Sequence, residues 1–160
     1  MPISDDIAQW LQSRLVGLNH EDWGLVYMLS GNLDSIPTGT VARWQLAVDT
    51  TYRLIQCDLI AVDDLSEAFD EQIFMQTIRT SSPYNDGAGY WHATLIWGTD
   101  RLSKLIDAHL SVDAPEEKPT HPLIDTVVQL FAENGVPWSD RPLLPIEPAS
   151  AEAAARNRSE

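Results

Sequence analysis

The chain has 160 residues and a formal net charge of −14 at pH 7, from 24 acidic and 10 basic side chains. Its length suits one domain that buries about two-thirds of its unfolded surface, and a hydrophobic content of 44% predicts that most of it folds. Nucleic acid and anionic membrane surfaces repel so acidic a chain, which argues against both as partners.

In the first half of the chain, apolar residues recur at the spacing of helices. Ser4 is predicted to cap a first helix with an apolar stripe, and Asn19 to cap a short second helix that ends before Gly31. The clearest helix begins near Thr40, and its apolar stripe is formed by Val41, Trp44, Val48, Tyr52, Ile55 and Leu59. The side of that helix opposite the stripe carries Arg43, Asp49, Thr50 and Arg53.

A further helix is predicted after Asp63 or Asp64, either of which can serve as its N-cap. Its predicted apolar positions are Leu65, Phe69, Ile73, Phe74 and Ile78. A long helical segment follows over Tyr90–Leu110, in which Gly98 marks either a close contact between helices or a break.

The last predicted helix opens at His121-Pro122 and ends at Asn134-Gly135. Prolines then recur up to Pro148 and forbid a helix, while the apolar residues among them predict a segment docked on the bundle. Together these elements predict an all-α fold, a single-domain bundle of five to seven helices with an extended Pro-rich C-terminal segment. Residues 1–148 form the predicted domain, and residues 149–160 are predicted to be a mobile tail.

Cysteine use and the N-terminus bear on the compartment. Cys57 is the only cysteine, which excludes a disulfide framework and a four-thiolate zinc site and predicts a buried structural thiol. The N-terminus lacks the basic and apolar regions of a signal peptide, and the sequence has no apolar run of bilayer-spanning length. These observations predict a cytoplasmic protein.

An acidic run stands out between Leu54 and Ile78, where the chain has no Lys or Arg. Its six acids are Asp58, Asp63, Asp64, Glu67, Asp70 and Glu71. Helix capping explains part of the run, because helix N-termini attract carboxylates. It does not explain the missing cations, since like charges within a Debye length of about 8 Å repel each other. The run therefore predicts a surface that binds a basic partner.

A magnesium-dependent enzyme is one alternative. Glu67 and Asp70, three residues apart, would place two carboxylates on one helix face, a spacing that suits magnesium. All-α nucleotide pyrophosphohydrolases use such pairs on two helices, and Asp100 with Asp107 makes only a loose second pair. We therefore predict a protein that is not an enzyme, with no catalytic or metal-binding residue and no cofactor. A non-catalytic adaptor subunit is the other alternative.

The loop after the acidic run is aromatic and rich in glycine. Tyr84 precedes Gly87 and Gly89, a setting in which an exposed aromatic side chain can anchor an interface. Trp91 is predicted to pack in the core instead. Tyr84 therefore joins the predicted contact residues.

Two segments resemble small bacterial immunity proteins, which act against contact-dependent growth inhibition or other polymorphic toxins. One is Gly39–Ile60, GTVARWQLAVDTTYRLIQCDLI, a helix with Trp and then Asp that leads through Leu-Ile into an acidic turn; the other is NGVPWSDRPLLPI at 134–146. The resemblance implies a non-enzymatic antitoxin that binds a bacterial toxin domain, often a nuclease. The acidic composition agrees, because a nuclease needs a basic surface to hold phosphate. The predicted partner-binding residues are Asp58, Asp63, Asp64, Glu67, Asp70, Glu71 and Tyr84, and the oligomeric state stays open.

Overall fold

The computed structural model describes residues 3–110 and 121–147. The predicted mobile tail, 149–160, lies outside these residues. The helices are α1 (Asp5–His20), a 3-10 helix (Leu25–Leu29), α2 (Val41–Gln56), α3 (Glu71–Thr80), α4 (Ala88–Ala93), α5 (Asp100–His109) and α6 (His121–Glu133). The strands are β1 (Trp23–Gly24), β2 (Ile60–Asp63) and β3 (Leu95–Gly98). The described part of the chain is mostly helical, but it also contains a small sheet.

The strands form one antiparallel sheet in the order β1-β3-β2. Residues 60–63 pair with residues 95–98, running in opposite directions. The sheet starts where α2 ends, because Asp58 has a φ of 56°, a left-handed conformation that turns the chain out of the helix. Leu59, the last residue of the predicted apolar stripe, therefore lies beyond the end of α2, and because of the sheet the prediction of a purely all-α fold is wrong.

Strand β3 also divides the long helical segment predicted over Tyr90–Leu110. At the end of this strand, a Cβ added to Gly98 would lie 2.9 Å from the carbonyl oxygen of Leu18. That distance is too short for any side chain, so Gly98 lets the sheet approach the end of α1. Of the two alternatives left open at Gly98, the helical segment is indeed broken there, and the break is occupied by β3, whose last residue is Gly98.

Helix α2 lies at the centre of the core. The predicted start of this helix near Thr40 is confirmed, and the Thr40 side chain accepts a hydrogen bond from the backbone N–H of Arg43. Trp44 is fully buried, and its indole N–H donates to the carbonyl of Ile78 on α3 at 2.8 Å. Helix α6, also confirmed, contacts α1, α2 and α5. These contacts join both ends of the described chain to one core.

Residues 136–147, which we call the C-terminal strap, are not helical and bind to α2. At its start, the Arg53 guanidinium donates to the carbonyls of Val136 and Pro137 at 3.0 and 2.8 Å. The same guanidinium lies over the Trp138 ring, 4.9 Å from its centre. One buried arginine therefore holds three consecutive residues of the strap.

Asp49 and Gln45 bind the rest of the strap. They lie four and eight residues before Arg53 and so on the same side of α2. Asp49 accepts hydrogen bonds from the backbone N–H groups of Leu143 and Leu144, at 3.1 and 2.9 Å. Gln45 donates to the carbonyl of Leu144 and accepts from the N–H of Ile146, at 2.9 and 3.0 Å. The strap therefore covers the helix side opposite the apolar stripe. For this reason Asp49 and Arg53 are buried, whereas Arg43, which is also buried, binds the loop before α2.

Candidate partner-binding surface

Most of the predicted acidic surface lies at the junction between β2 and α3. We call residues 63–73 the acidic segment. Asp70 is the N-cap of α3, and its carboxylate accepts a backbone N–H of the first turn at 3.1 Å. The predicted N-cap, Asp63 or Asp64, is wrong, because the chain forms a loop there before the helix starts at Glu71.

Asp64 stabilises this loop. Its carboxylate accepts the backbone N–H of Ser66 at 3.1 Å and the hydroxyl of Tyr90 at 3.0 Å. Hydrogen bonds from Ser66 lower the pKa of Asp64, so the carboxylate stays charged well below neutral pH. Burial raises the pKa of Tyr90, and the bond to Asp64 adds to that effect. Asp64 and Asp70 therefore have structural roles, as ordinary capping and turn residues do.

The other predicted acidic side chains make one hydrogen bond or none. Asp58 and Glu67 are exposed, and neither side chain makes a hydrogen bond with another described residue. Asp63 accepts only the backbone N–H of Leu65, and Glu71 accepts the amide of Gln56. Within the described residues the one ion pair is Arg79–Glu147, at 4.0 Å. The carboxylates of the acidic segment thus have no Lys or Arg within ion-pair distance in that part of the chain.

The acidic segment has no cation partner partly because three arginines of the chain are buried in the interior. Arg14, Arg43 and Arg53 are all buried, with exposed fractions of 8%, 1% and 1%. Arg43 donates to the carbonyls of Ile36 and Gly31, at 2.8 and 2.9 Å. Burial lowers the pKa of all three guanidinium groups, which backbone carbonyls nevertheless hold in place. These cations do not reach the surface that a partner would meet.

The acidic segment also exposes apolar side chains. Leu65, Phe69 and Ile73 are exposed by 68%, 42% and 64%. The remaining large apolar residue exposed in the described chain is Leu95, at 37%, which pairs with Asp63 across the sheet. The sequence predicted Leu65, Phe69 and Ile73 on the apolar side of a helix. This prediction is wrong for Leu65 and Phe69, since α3 starts after them. The closely spaced acids and Ser66, which favour a turn, were the available signal.

Tyr84 is not the exposed anchor that its loop predicts. Its side chain is half-buried against the core, and its hydroxyl donates to the carbonyl of Thr40 at 2.9 Å. The loop folds back because the Ser82 hydroxyl and the Asp86 carboxylate bind backbone N–H groups within it. Tyr84 therefore supports the N-terminus of α2, while the segment that exposes apolar groups lies earlier in the chain.

The geometry does not supply the magnesium site considered from the sequence. Glu67 lies in the loop before α3 and Asp70 is its cap, so the two carboxylates do not share a helix face. No group of three or more His, Cys, Asp or Glu side chains in the described ranges is arranged to hold a metal ion. A cleft of about 560 Å³ lies beside Trp10 and Arg14, and the Arg14 guanidinium there donates to the Tyr27 carbonyl and the Ser30 hydroxyl.

Comparison with family models, with curated proteins and with solved structures found no match to this chain. Among the described residues, no helix is both long enough and apolar enough to cross a membrane.

Proposed function

We propose that the chain is a bacterial immunity protein that binds and neutralises a basic toxin domain, namely a nuclease domain. The observation that supports this proposal is the acidic segment: five carboxylates without an ion-pair partner in the described chain, around exposed apolar side chains. Its sequence basis is the resemblance of Gly39–Ile60 and of residues 134–146 to immunity proteins.

The electrostatic reasoning follows from what a nuclease needs. A nuclease domain holds phosphate with Lys and Arg, so its substrate surface is positive and attracts a negative inhibitor. Complementary charge raises the association rate by about 10-fold to 1000-fold at low salt, and added salt removes that gain. Fast capture suits an inhibitor that must reach the toxin before the toxin reaches its substrate.

The test is neutralisation by variants that keep the loop intact. Glu67→Lys and Glu71→Lys together reverse two carboxylates and leave Asp63, Asp64 and Asp70, which hold the loop and cap α3. The variant is co-expressed with the basic domain encoded next to this gene, and cell survival and the association rate are measured. We expect protection to be lost and the association rate to fall by about 10-fold or more at low salt.

A matched control carries the same change of charge elsewhere. Asp107→Lys and Asp125→Lys alter exposed acids of α5 and α6, and this variant should still protect the cell. Circular dichroism must show the same helix content in both variants. Full protection by the acidic-segment variant would refute this surface as the interface. A neighbouring partner that binds stably without being toxic would refute the immunity function and favour an adaptor.

A further inference from the structure

Apolar exposure in this chain is concentrated at the acidic segment. Leu65 and Ile73 are about two-thirds exposed, and Leu95 is the paired neighbour of Asp63. Every large apolar side chain that is exposed in the described ranges therefore belongs to this segment or pairs with it. Isolated exposed apolar residues are ordinary, but their concentration in one place is typical of interaction sites.

Of the three exposed apolar side chains within the acidic segment itself, folding accounts for only one. Phe69 precedes the N-cap of α3, and its ring centre lies 5.5 Å from that of Phe74 in the first turn. This pair is a hydrophobic staple, which fixes the entry of the chain into the helix. Leu65 and Ile73 make no comparable contribution, because they remain mostly in solvent. We therefore separate Phe69, which supports the helix, from the pair that is free to contact a partner.

Leu65 is also unfavourable where it stands. Its φ is 67°, in the left-handed region, which costs a non-glycine residue about 1–2 kcal/mol. Glycine would meet this backbone requirement without strain, and a polar residue would avoid an exposed apolar surface. The fold therefore gains nothing from Leu at this position, and such local costs are typical of functional sites.

The charges around the pair select the occupant. A second copy of this chain would bring the same carboxylates against Asp63, Glu67 and Glu71, and the like charges would repel each other. A basic surface reverses the sign of that interaction. We propose that Leu65 and Ile73 are the apolar anchors of the interface, and that they receive an apolar side chain projecting from a basic partner surface. This inference rests on the proposed function and adds the binding mode to it.

The two kinds of side chain then control different rates. Buried apolar anchors set how slowly a complex dissociates, whereas surrounding charges set how fast it forms. Leu65→Ser with Ile73→Ser should raise the dissociation rate by about 30-fold or more while the association rate stays within a few-fold. The reversed carboxylates of the previous section should do the opposite, by slowing association at low salt.

A direct test uses defined probes, so that it does not depend on any toxin. Two short helical peptides carry equal positive charge from Lys, and the face between the lysines bears Leu in one and Gln in the other. The wild-type chain should bind the Leu peptide about 10-fold or more tightly than the Gln peptide. The Leu65→Ser, Ile73→Ser variant should bind both peptides alike, with only the salt-sensitive binding left.

The variants must fold for this result to count, and Leu65→Gly provides the check. Glycine suits the φ of 67°, so this variant should unfold at an equal or higher urea concentration and still lose most discrimination between the peptides. The proposal is overturned by a wild type that binds both peptides equally, or by serine variants that keep the preference for Leu. Sedimentation that finds a dimer lost on Leu65→Ser would overturn it too, by identifying a second copy as the occupant. Failure to protect cells from a toxin would instead count against the proposed function alone.

Discussion

Replacing Asp49 by Ala is expected to detach the C-terminal strap from α2. The Asp49 carboxylate is 6% exposed and accepts the backbone N–H groups of Leu143 and Leu144, with a further bond from the Gln45 side chain. Alanine leaves both N–H groups without an acceptor in a half-buried position. Each such loss costs about 1–3 kcal/mol, because the group has given up water without a replacement bond.

The magnitude is limited by two opposing effects. Burial raises the pKa of Asp49, which means that the folded protein holds this charge at a cost that alanine removes. If the strap detaches, the backbone N–H groups of Leu143 and Leu144 can bond to water again, but apolar contacts such as that of Ile146 with the core are lost. We therefore expect the free energy of unfolding to fall by about 2–4 kcal/mol. Asp49→Asn keeps one acceptor oxygen and should lose about half as much.

Amide hydrogen exchange gives the specific measurement. The N–H groups of Leu143 and Leu144 should lose most of their protection in Asp49→Ala, while the N–H of Trp91, bonded to Gly87, should keep its own. Urea unfolding supplies the global value. Asp107→Ala removes an exposed acid of α5 and is the matched control, which should change neither measurement. Unchanged protection at Leu143 and Leu144 would refute the account of how the strap is held.

Three further predictions concern pH, glycine and cysteine. Burial raises the pKa of Asp49 in the folded protein, so as pH rises above about 3.9 the Asp49 carboxyl loses its proton first in the unfolded chain. The contribution of Asp49 to the free energy of unfolding therefore falls with rising pH until the folded pKa is passed. Urea unfolding should find that the free energies of unfolding of wild type and Asp49→Asn move closer together as pH rises, and a growing difference would contradict the raised pKa. Gly98→Ala should destabilise by about 1–3 kcal/mol in thermal unfolding, because its Cβ would meet the Leu18 carbonyl at 2.9 Å. Its control, Gly89→Ala in α4, has nothing within 4 Å of the new Cβ and should be neutral or stabilising by about 0.5–1 kcal/mol. Cys57 is fully buried, and burial raises its pKa, so a thiol reagent should label it at the rate of unfolding, and faster in Asp49→Ala. Rapid labelling of the folded wild type would show that the thiol is accessible.

The helices with strong periodicity were predictable, and the strands were not. Thr40 followed by apolar residues at steps of three and four identifies α2, and His121-Pro122 with Asn134-Gly135 brackets α6. β1 and β2 have two and four residues, too few for an alternation to be visible. They exist because both pair with β3, more than thirty residues away from β2 and further from β1. Local spacing carries no information about such pairing.

The charge of the candidate surface was readable from sequence, whereas its apolar part was not. Leu65, Phe69 and Ile73 follow a helical step of four, which indicates a core face when they are read alone. The exposure of Leu65 and Phe69 follows from where α3 starts, which depends on Asp70 rather than Asp63 or Asp64 as the cap, whereas Ile73 is exposed within α3 itself. Three or four nearby carboxylates could each cap a helix, so the sequence offered no means of choosing among them. A shift of six or seven residues in the cap therefore left Leu65 and Phe69 outside the helix, while Phe74 and Ile78 of the predicted stripe stay buried.

The way the acidic segment is held bears on how it can bind. One end is fixed by the pairing of Asp63 with Leu95, and the other by the Asp70 cap and the Phe69–Phe74 staple. Asp64 fixes the middle through Ser66 and Tyr90. A loop held at three points loses little conformational entropy on binding, so more of the contact energy remains as affinity. The hydrogen bonds of Asp64 and Asp70 therefore support the proposed interface, because they order the backbone that carries Leu65 and Glu67 before a partner binds.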